Sequence, residues 1–403
     1  MNNKCPSCGG TLVFDADIQM MVCELCTSMF PIQEDTAKTP TAFEGDQLSS
    51  AYSTDTQSIQ NSYQEELMDI QVYECKNCGA ELAVNDVEAA TYCAYCGQPT
   101  IVFSRIEKRK RPQYIIPFKI SKNDAITRIR EKLLKSDYVS NEIKHFKPEL
   151  LRGIYIPYGM FCYEIKDKQI LYAQKTDLNY EKTDAPFRYY FREAVARIGH
   201  IPVDASFQLS NQSADRLEPF FGHDLVNFDP GYLSGYYADL RDEEFTMLKS
   251  KADRRAIDMF KEKMLSLPYL INSKTVKSNP QVTCVKEAYV LLPVWFLVFE
   301  DDGDKYTIMV NGQTGKVVGA VPTSLRTFLK WFVITFFFIL LFAVPISIAL
   351  VVSGNIAYLI GALVVIMPCM LIKGIKNMHR LQKSLHLTTA KSIRNFATER
   401  QDI

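Results

Sequence analysis

The sequence predicts a multidomain α+β protein that starts with two small cysteine-rich β modules and ends in a helical hairpin. Three observations support this fold class. Four Cys-x-x-Cys pairs occur within the first 100 residues as two copies of one pattern. The middle of the chain mixes segments of helical periodicity with runs of β-branched and aromatic residues. Towards the C-terminal end, a long stretch lacks charged side chains. A chain of 403 residues has room for two or three such units.

The two modules, residues 1–30 and 71–104, share one cysteine spacing. In each, two Cys-x-x-Cys pairs are separated by 14 residues, enough for two short strands and their turns. One such pair directs two thiolates at a single ion, and a second pair completes the tetrahedron of sulfur ligands that Zn²⁺ prefers. The sequence therefore predicts two zinc ribbons, each with one structural zinc ion. The predicted ligands are Cys5, Cys8, Cys23 and Cys26 in the first ribbon and Cys75, Cys78, Cys93 and Cys96 in the second.

Redox chemistry is the alternative use of Cys-x-x-Cys pairs. Thioredoxin-like proteins place one such pair at the start of a helix within a βαβ unit, so four equally spaced pairs in strand-like modules favour a metal. Of the 11 cysteines, three stand alone in apolar surroundings, Cys162, Cys284 and Cys369, and we interpret them as packing residues. Polar residues follow Met1, so we expect no export signal and a reducing compartment for the thiols.

The segments on either side of the second ribbon have the composition of linkers. Residues 31–70 are rich in Ser, Thr, Gln, Asp and Glu and predict an acidic flexible linker, with a short helix near Tyr63–Ile70. Residues 105–112, RIEKRKRP, predict a basic connector between domains. Its cations leave two other interpretations open, a nucleic-acid contact or a contact with anionic lipid. Both ribbons and the linker are net acidic, which opposes binding to a phosphate backbone.

Residues 113–323 predict a central α+β domain with antiparallel strands. Two segments have helical periodicity, 121–135 and the longer Arg241–Leu267. They alternate with strand-like runs such as GIYIPYGMFCYEI and VTCVKEAYVLLPVWFLVF. Asn311 and Gly312 lie between two apolar runs near the end of the domain and predict a type I′ hairpin turn there.

A transmembrane helical hairpin is predicted over residues 328–373. Trp331–Val352 contains 22 uncharged residues, about 33 Å as a helix, and Ile356–Ile372 contains 17 more. A re-entrant second segment is the alternative. Basic residues flank the pair and are absent from its turn, which places both ends in the cytoplasm. The prediction is a two-helix cell-membrane protein whose ribbons, central domain and basic tail helix at 374–403 face the cytoplasm beside the inner membrane.

No motif predicts an enzyme. NGQTGKVVG lacks the spacing and the Ser or Thr of a phosphate-binding loop, and the five histidines have no metal-ligand spacing. Our leading hypothesis is a membrane-anchored, non-enzymatic protein that binds an unknown protein partner through its ribbons, as an adaptor, assembly factor or sensor. The alternative is a regulator that binds nucleic acid or RNA polymerase through the ribbons and the Arg105–Arg111 cluster.

The order of these features resembles a family of uncharacterised bacterial membrane proteins with N-terminal double zinc ribbons of the transcription-factor-IIB type. The resemblance depends on the two cysteine modules, LLPVWFL, YTIMVNGQTGKVVG and the terminal apolar hairpin, and it covers most of the chain. It implies that the eight paired cysteines are zinc ligands, and it implies no activity. Thr27 follows its cysteine pair where the other three pairs are followed by Gly, a small departure.

Overall fold

The structure is a computed structural model of the chain. It describes residues 4–32, 66–84, 92–99, 101–134, 145–175, 186–209, 211–241, 243–265, 270–301, 304–319, 333 and 337. The strands are β1 (Leu12–Asp15), β2 (Met20–Cys23), β3 (Met29–Phe30), β4 (Leu67–Cys75), β5 (Glu81–Val84), β6 (Ile101–Lys110), β7 (Tyr114–Ile115), β8 (Leu151–Lys175), β9 (Arg188–Asp204), β10 (Val226–Asn227), β11 (Tyr237–Asp239), β12 (Leu270–Lys277), β13 (Gln281–Asp301), β14 (Asp304–Asn311) and β15 (Val317–Gly319). The α-helices are α1 (Lys122–Leu134), α2 (Asn211–Leu217) and α3 (Phe245–Leu265).

The fold is mostly β-sheet, which corrects the predicted α+β class. Strands account for 50% of the described residues and helices for 20%. The balance differs from the prediction because apolar runs that had suggested separate short strands join into long ones. β8 has 25 residues and β13 has 21, both well above the usual strand length.

The structure also corrects the prediction of a transmembrane helical hairpin. Among the described residues, no helix is both long and apolar enough to cross a membrane. The two longer helices, α1 and α3, are amphipathic and carry many charged side chains. A run of uncharged residues measures apolarity alone and does not fix a spanning helix. The predicted span, 328–373, lies outside the described residues except for Val333 and Phe337, and the tail at 374–403 lies wholly outside them. Because no described helix can cross a membrane, the predicted two-helix anchor and its cell-membrane localisation are not supported.

Two long antiparallel strands, β8 and β13, form the middle of a 12-stranded sheet. Neighbouring residues of these strands enter two different hydrophobic cores. Ile154 and Val290 belong to the core on one face, and Tyr155 and Leu291 to the core on the other. Because both faces of the sheet are covered in the middle, β8 is buried throughout 153–161 and β13 throughout 290–298, and a simple alternation of polar and apolar residues does not mark these parts. The outer parts of both strands alternate between more and less exposed residues.

Two amphipathic helices cover parts of this sheet, as the sequence predicts. α1 lies within the predicted segment 121–135, and α3 lies within the predicted Arg241–Leu267. The buried residues of α1 are Ala125, Ile126, Ile129 and Leu133. Those of α3 are Leu248, Ala252, Ala256 and Phe260, which pack against the middle of the β8–β9 pair, at Phe161–Ile165 and Ile201–Val203. Helical periodicity therefore located both elements correctly.

The turn after β14 is wider than the predicted type I′ hairpin. Asn311 and Gly312 lack the positive φ of such a turn, and the positive φ falls on Gly315, at 73°. The fully buried side chain of Asn311 organises the turn instead. Its Oδ1 accepts two backbone N–H bonds within the turn, and its Nδ2 donates to the carbonyl oxygen of Leu217 at 2.9 Å. The asparagine therefore ties the end of β14 to α2.

Segments with linker composition contribute strands to the fold. β4 begins at Leu67, so the end of the predicted 31–70 linker is extended and not helical, while residues 33–65 lie outside the described part. β6 includes most of the predicted 105–112 connector and pairs antiparallel with β4. In this connector Arg105, Glu107 and Arg109 alternate with exposed residues, which is the period of a strand.

Candidate metal centres

All four Cys-x-x-Cys pairs form the same turn, which we call a knuckle. In the third knuckle, the Cys75 N–H donates to the carbonyl oxygen of Ala80 at 2.9 Å, and the Gly79 N–H donates to that of Cys75 at 2.8 Å. The other three repeat both bonds at the same spacing. The residue after each second cysteine has a positive φ, which suits glycine. The exception is Thr27, a β-branched residue at a φ of 57°.

Each ribbon brings its four sulfur atoms into one cluster. Within a cluster, all Sγ atoms lie within 4.8 Å of one another. Four of the Sγ–Sγ distances are 3.4 Å for Cys8–Cys23, 3.6 Å for Cys5–Cys26, 3.5 Å for Cys75–Cys96 and 3.7 Å for Cys78–Cys93. Four sulfur ligands about 2.3 Å from a tetrahedral zinc lie about 3.8 Å apart. The sulfur atoms are therefore already placed at nearly the spacing that the ion requires.

The set of donor atoms favours zinc in a structural role. Each cluster consists of four thiols, and no histidine or carboxylate among the described residues joins it. Four soft sulfur donors in a compact cluster favour Zn²⁺ over hard cations. Four protein ligands leave no coordination position for a water molecule or a substrate, in contrast to catalytic zinc sites. Each four-cysteine group is thus suited to hold one zinc ion for stability and not for catalysis.

One thiol in each cluster ionises more readily than a free cysteine. Hydrogen bonds from the side chain and the backbone of Ser28 lower the pKa of Cys26 to about 6. In the second cluster the Cys75 thiol opposes ionisation of Cys96, but hydrogen bonds from the other two thiols outweigh it and lower the pKa of Cys96 to about 6. A thiolate at neutral pH gives an incoming cation its first ligand, and the charge of the bound ion then favours ionisation of the remaining thiols.

The second centre is part of the main hydrophobic core. Cys75 and Cys93 are 0% and 1% exposed and belong to the same buried cluster as Ile154 and Phe296 of the β8–β13 pair. β5 continues the main sheet by pairing antiparallel with β11, and β11 pairs parallel with β8. The second ribbon is therefore the end of the large sheet and not a separate domain.

Two tyrosines that the sequence analysis did not single out fasten this ribbon to the sheet. Tyr95 lies between the ligands of the fourth knuckle, and its ring contacts that of Phe296 edge-on with centroids 5.3 Å apart. Its hydroxyl donates to Asp239 Oδ2 at 2.7 Å. The hydroxyl of Tyr237 donates to the carbonyl oxygen of Tyr92 at 2.9 Å, just before the same knuckle. In the sequence, the aromatic residue between the two cysteines of CAYC could have indicated this contact with the sheet.

A buried acidic pair lies beside this contact. Asp239 accepts hydrogen bonds from Tyr95 and from the Ser206 hydroxyl. Asp204 accepts the Ser206 N–H through Oδ1 at 3.2 Å, and its buried Oδ2 has no hydrogen-bond partner among the described residues. Burial raises the pKa of Asp204 well above its usual value, and the negative charge of Asp239 adds to this effect. Asp204 therefore favours its protonated, neutral form.

The first ribbon docks on the body through its β1–β2 hairpin. Phe14 is 1% exposed, and its ring contacts that of Tyr232 edge-on with centroids 5.2 Å apart. The Phe14 N–H donates to the carbonyl oxygen of Ser234 at 3.1 Å. Gln19 Nε2 donates to the carbonyl oxygen of Phe118 at 2.7 Å. Although the sequence suggested a ribbon on a flexible tether, its apolar face packs against the core.

Acidic side chains pair with part of the Arg105–Arg111 cluster, through which the alternative hypothesis has the protein bind nucleic acid. Arg105 binds both carboxylate oxygens of Glu81, at 2.8 and 2.9 Å, and also contacts Glu107 at 2.8 Å. Arg111 contacts Glu66 at 3.0 Å. These ion pairs neutralise two of the cations on which the nucleic-acid alternative depends, because phosphate binding needs positive charge that is not already paired.

The isolated cysteines stand apart from both centres. Cys162 and Cys284 are partly buried on β8 and β13, and burial raises the pKa of each thiol, that of Cys284 to about 11. A raised pKa keeps a thiol protonated and unreactive, which agrees with a packing role. Cys369 lies outside the described residues.

Comparison with known proteins adds one relative without a known function. The chain is similar to the uncharacterised protein YdjG of Bacillus subtilis (strain 168), with 28% identity over 321 residues that cover 64% of this chain and 92% of the relative. No protein-family model matches the sequence. No solved structure matches it either.

Proposed function

We propose that this chain is a non-enzymatic zinc protein that binds another protein, and that two structural zinc ions fix the shape of its binding surface. The observation that carries the proposal is that both cysteine clusters are closed groups of four thiols. A closed group contributes folding energy and leaves no open position for chemistry. The ions therefore stabilise the folded protein and take no part in a reaction.

The packing of the ribbons supports a scaffold role. The first ribbon rests on the core through Phe14, and the second extends the main sheet through β5. Exposed apolar side chains remain on both ribbons, with Leu25 77% exposed and Phe103 54% exposed. Apolar side chains held on a rigid support favour contact with a protein surface, because the ordering cost of binding is already met by folding.

The proposal is tested by capture of partners with matched cysteine variants. The tagged full-length protein, a Cys75→Ser/Cys78→Ser variant and a Cys162→Ser/Cys284→Ser control are crosslinked in cells and purified. We expect a protein that is captured by the parent and the control and lost from the ligand variant. Capture of nucleic acid that decreases with salt would contradict the proposal, as would an enzymatic activity that needs either zinc cluster.

A further inference from the structure

The outer edge of β9 is a long exposed strand edge. β9 pairs with β8 on one side, and no described strand pairs with its other side. Between residues 189 and 199, every second side chain faces solvent. Three of them are large and apolar: Tyr189, Phe191 and Val195 are 65%, 82% and 62% exposed. Proteins usually protect such an edge, because its free N–H and C=O groups form a template for another strand.

The charges on this face are arranged symmetrically about Val195. Glu193 and Arg197 lie two positions to either side of it, with side chains 69% and 86% exposed. In an antiparallel pair of two β9 strands related by a two-fold axis at Val195, positions equally far from Val195 lie opposite each other. Glu193 of each copy then lies opposite Arg197 of the other, and both cross-strand pairs are attractive.

The next position outward is also complementary. Phe191 lies opposite Gly199 in the same arrangement. Gly199 is exposed, and a side chain built on it would meet only the Cys162 sulfur, at 4.0 Å. An aromatic ring that covers a cross-strand glycine is a recognised stabilising arrangement in sheets, because the ring fills the space that the glycine leaves. The highly exposed Phe191 therefore gains cover from the second strand.

Other positions of the axis lose this match. An axis at Ala194 or Ala196 places no opposite charges across from each other on the exposed face. An axis at Glu193 or at Arg197 places that charge against its own copy, which is destabilising. Among the positions compared, an axis at Val195 is therefore the one that the charges of the strand favour.

We propose that two copies of this chain associate by antiparallel pairing of their β9 edges about a two-fold axis at Val195. The partner is a second copy because the complementarity is that of the strand with itself. The inference goes beyond the proposed function and does not depend on the metal centres, which lie on other strands.

The test exchanges the charges of the full-length protein and measures mass by sedimentation velocity. We expect the parent to form a dimer. Glu193→Arg places arginines opposite each other, and Arg197→Glu does the same with glutamates, so each variant alone weakens association by about tenfold or more. A one-to-one mixture of the two variants restores both attractive pairs and forms a heterodimer.

Matched controls separate this register from a general surface effect. Glu193 and Arg197 also contact Lys168 and Glu164 within the chain, at 3.4 and 3.3 Å. Lys168→Ala and Glu164→Ala therefore should leave the dimer intact. A parent that stays monomeric, single variants that still dimerise, or a mixture of folded variants that fails to associate would each overturn the proposal. Circular dichroism establishes that every variant is folded.

Discussion

Phe14→Ala tests whether the first ribbon is docked on the body. The Phe14 ring is almost fully buried against Tyr232, with centroids 5.2 Å apart, and it also contacts Tyr236 at 6.4 Å. Removing a buried phenylalanine costs about 3–5 kcal/mol, of which an aromatic pair accounts for about 0.5–1.5 kcal/mol. The zinc ligands are untouched, so we expect the variant to retain its metal and to lose the docking contact.

Hydrogen exchange separates docking from metal binding. A loss of about 3–5 kcal/mol corresponds to amide exchange in β1 and β2 that is faster by about two to four orders of magnitude. Leu25→Ala is the control, because Leu25 lies in the same ribbon and is 77% exposed. Its exchange rates should match those of the parent. Unchanged protection in Phe14→Ala, or zinc loss in that variant, would refute the docking argument.

Five other substitutions test three separate parts of the structure. Cys75→Ser removes a buried ligand, so we expect loss of one zinc ion and of the near-ultraviolet circular dichroism of the main sheet. Cys8→Ser changes an exposed ligand and should leave that circular dichroism unchanged. Equal effects of the two variants would contradict the placement of the second centre in the core. Thr27→Gly relieves about 1–2 kcal/mol of left-handed strain and costs about 0.5–1 kcal/mol in backbone entropy. The unfolding free energy of the first ribbon in urea should therefore rise by up to about 1.5 kcal/mol, and Gly79→Ala should destabilise the second ribbon. The pKa of Asp204 is raised in the folded protein, so its contribution to stability is complete below about pH 4 and is lost as the pH rises through that folded-state pKa. Asp204→Asn should remove this loss of stability. Identical pH profiles of unfolding free energy for the parent and the variant would disprove the argument.

The metal centres were predictable from the sequence because their geometry is local. A Cys-x-x-Cys pair forms its knuckle through hydrogen bonds within six residues, so spacing alone identifies the cysteines that cluster and could hold an ion. The same holds for α1 and α3, whose apolar residues recur at helical spacing. The position of each ribbon was not predictable, because it depends on distant partners such as Tyr232 for Phe14 and Asp239 for Tyr95.

The errors also have physical causes. The basic segment at 105–112 suggested a connector because its charges were counted without their partners, whereas pairing of β6 with β4 places Glu81 and Glu107 against Arg105. The α+β class failed because the central parts of β8 and β13 are covered on both faces, so their apolar runs do not alternate there. The predicted membrane hairpin depended on the length and the lack of charge of two apolar runs, and neither property fixes a spanning helix.

Zinc content of the purified full-length protein, followed during chelation, tests the central claim most directly. We expect two zinc ions per chain, and we expect β-sheet circular dichroism to be lost as a chelator removes the ion held by Cys75, Cys78, Cys93 and Cys96. Fewer than two ions in a fully folded chain, or complete metal removal with an unchanged spectrum, would contradict the account.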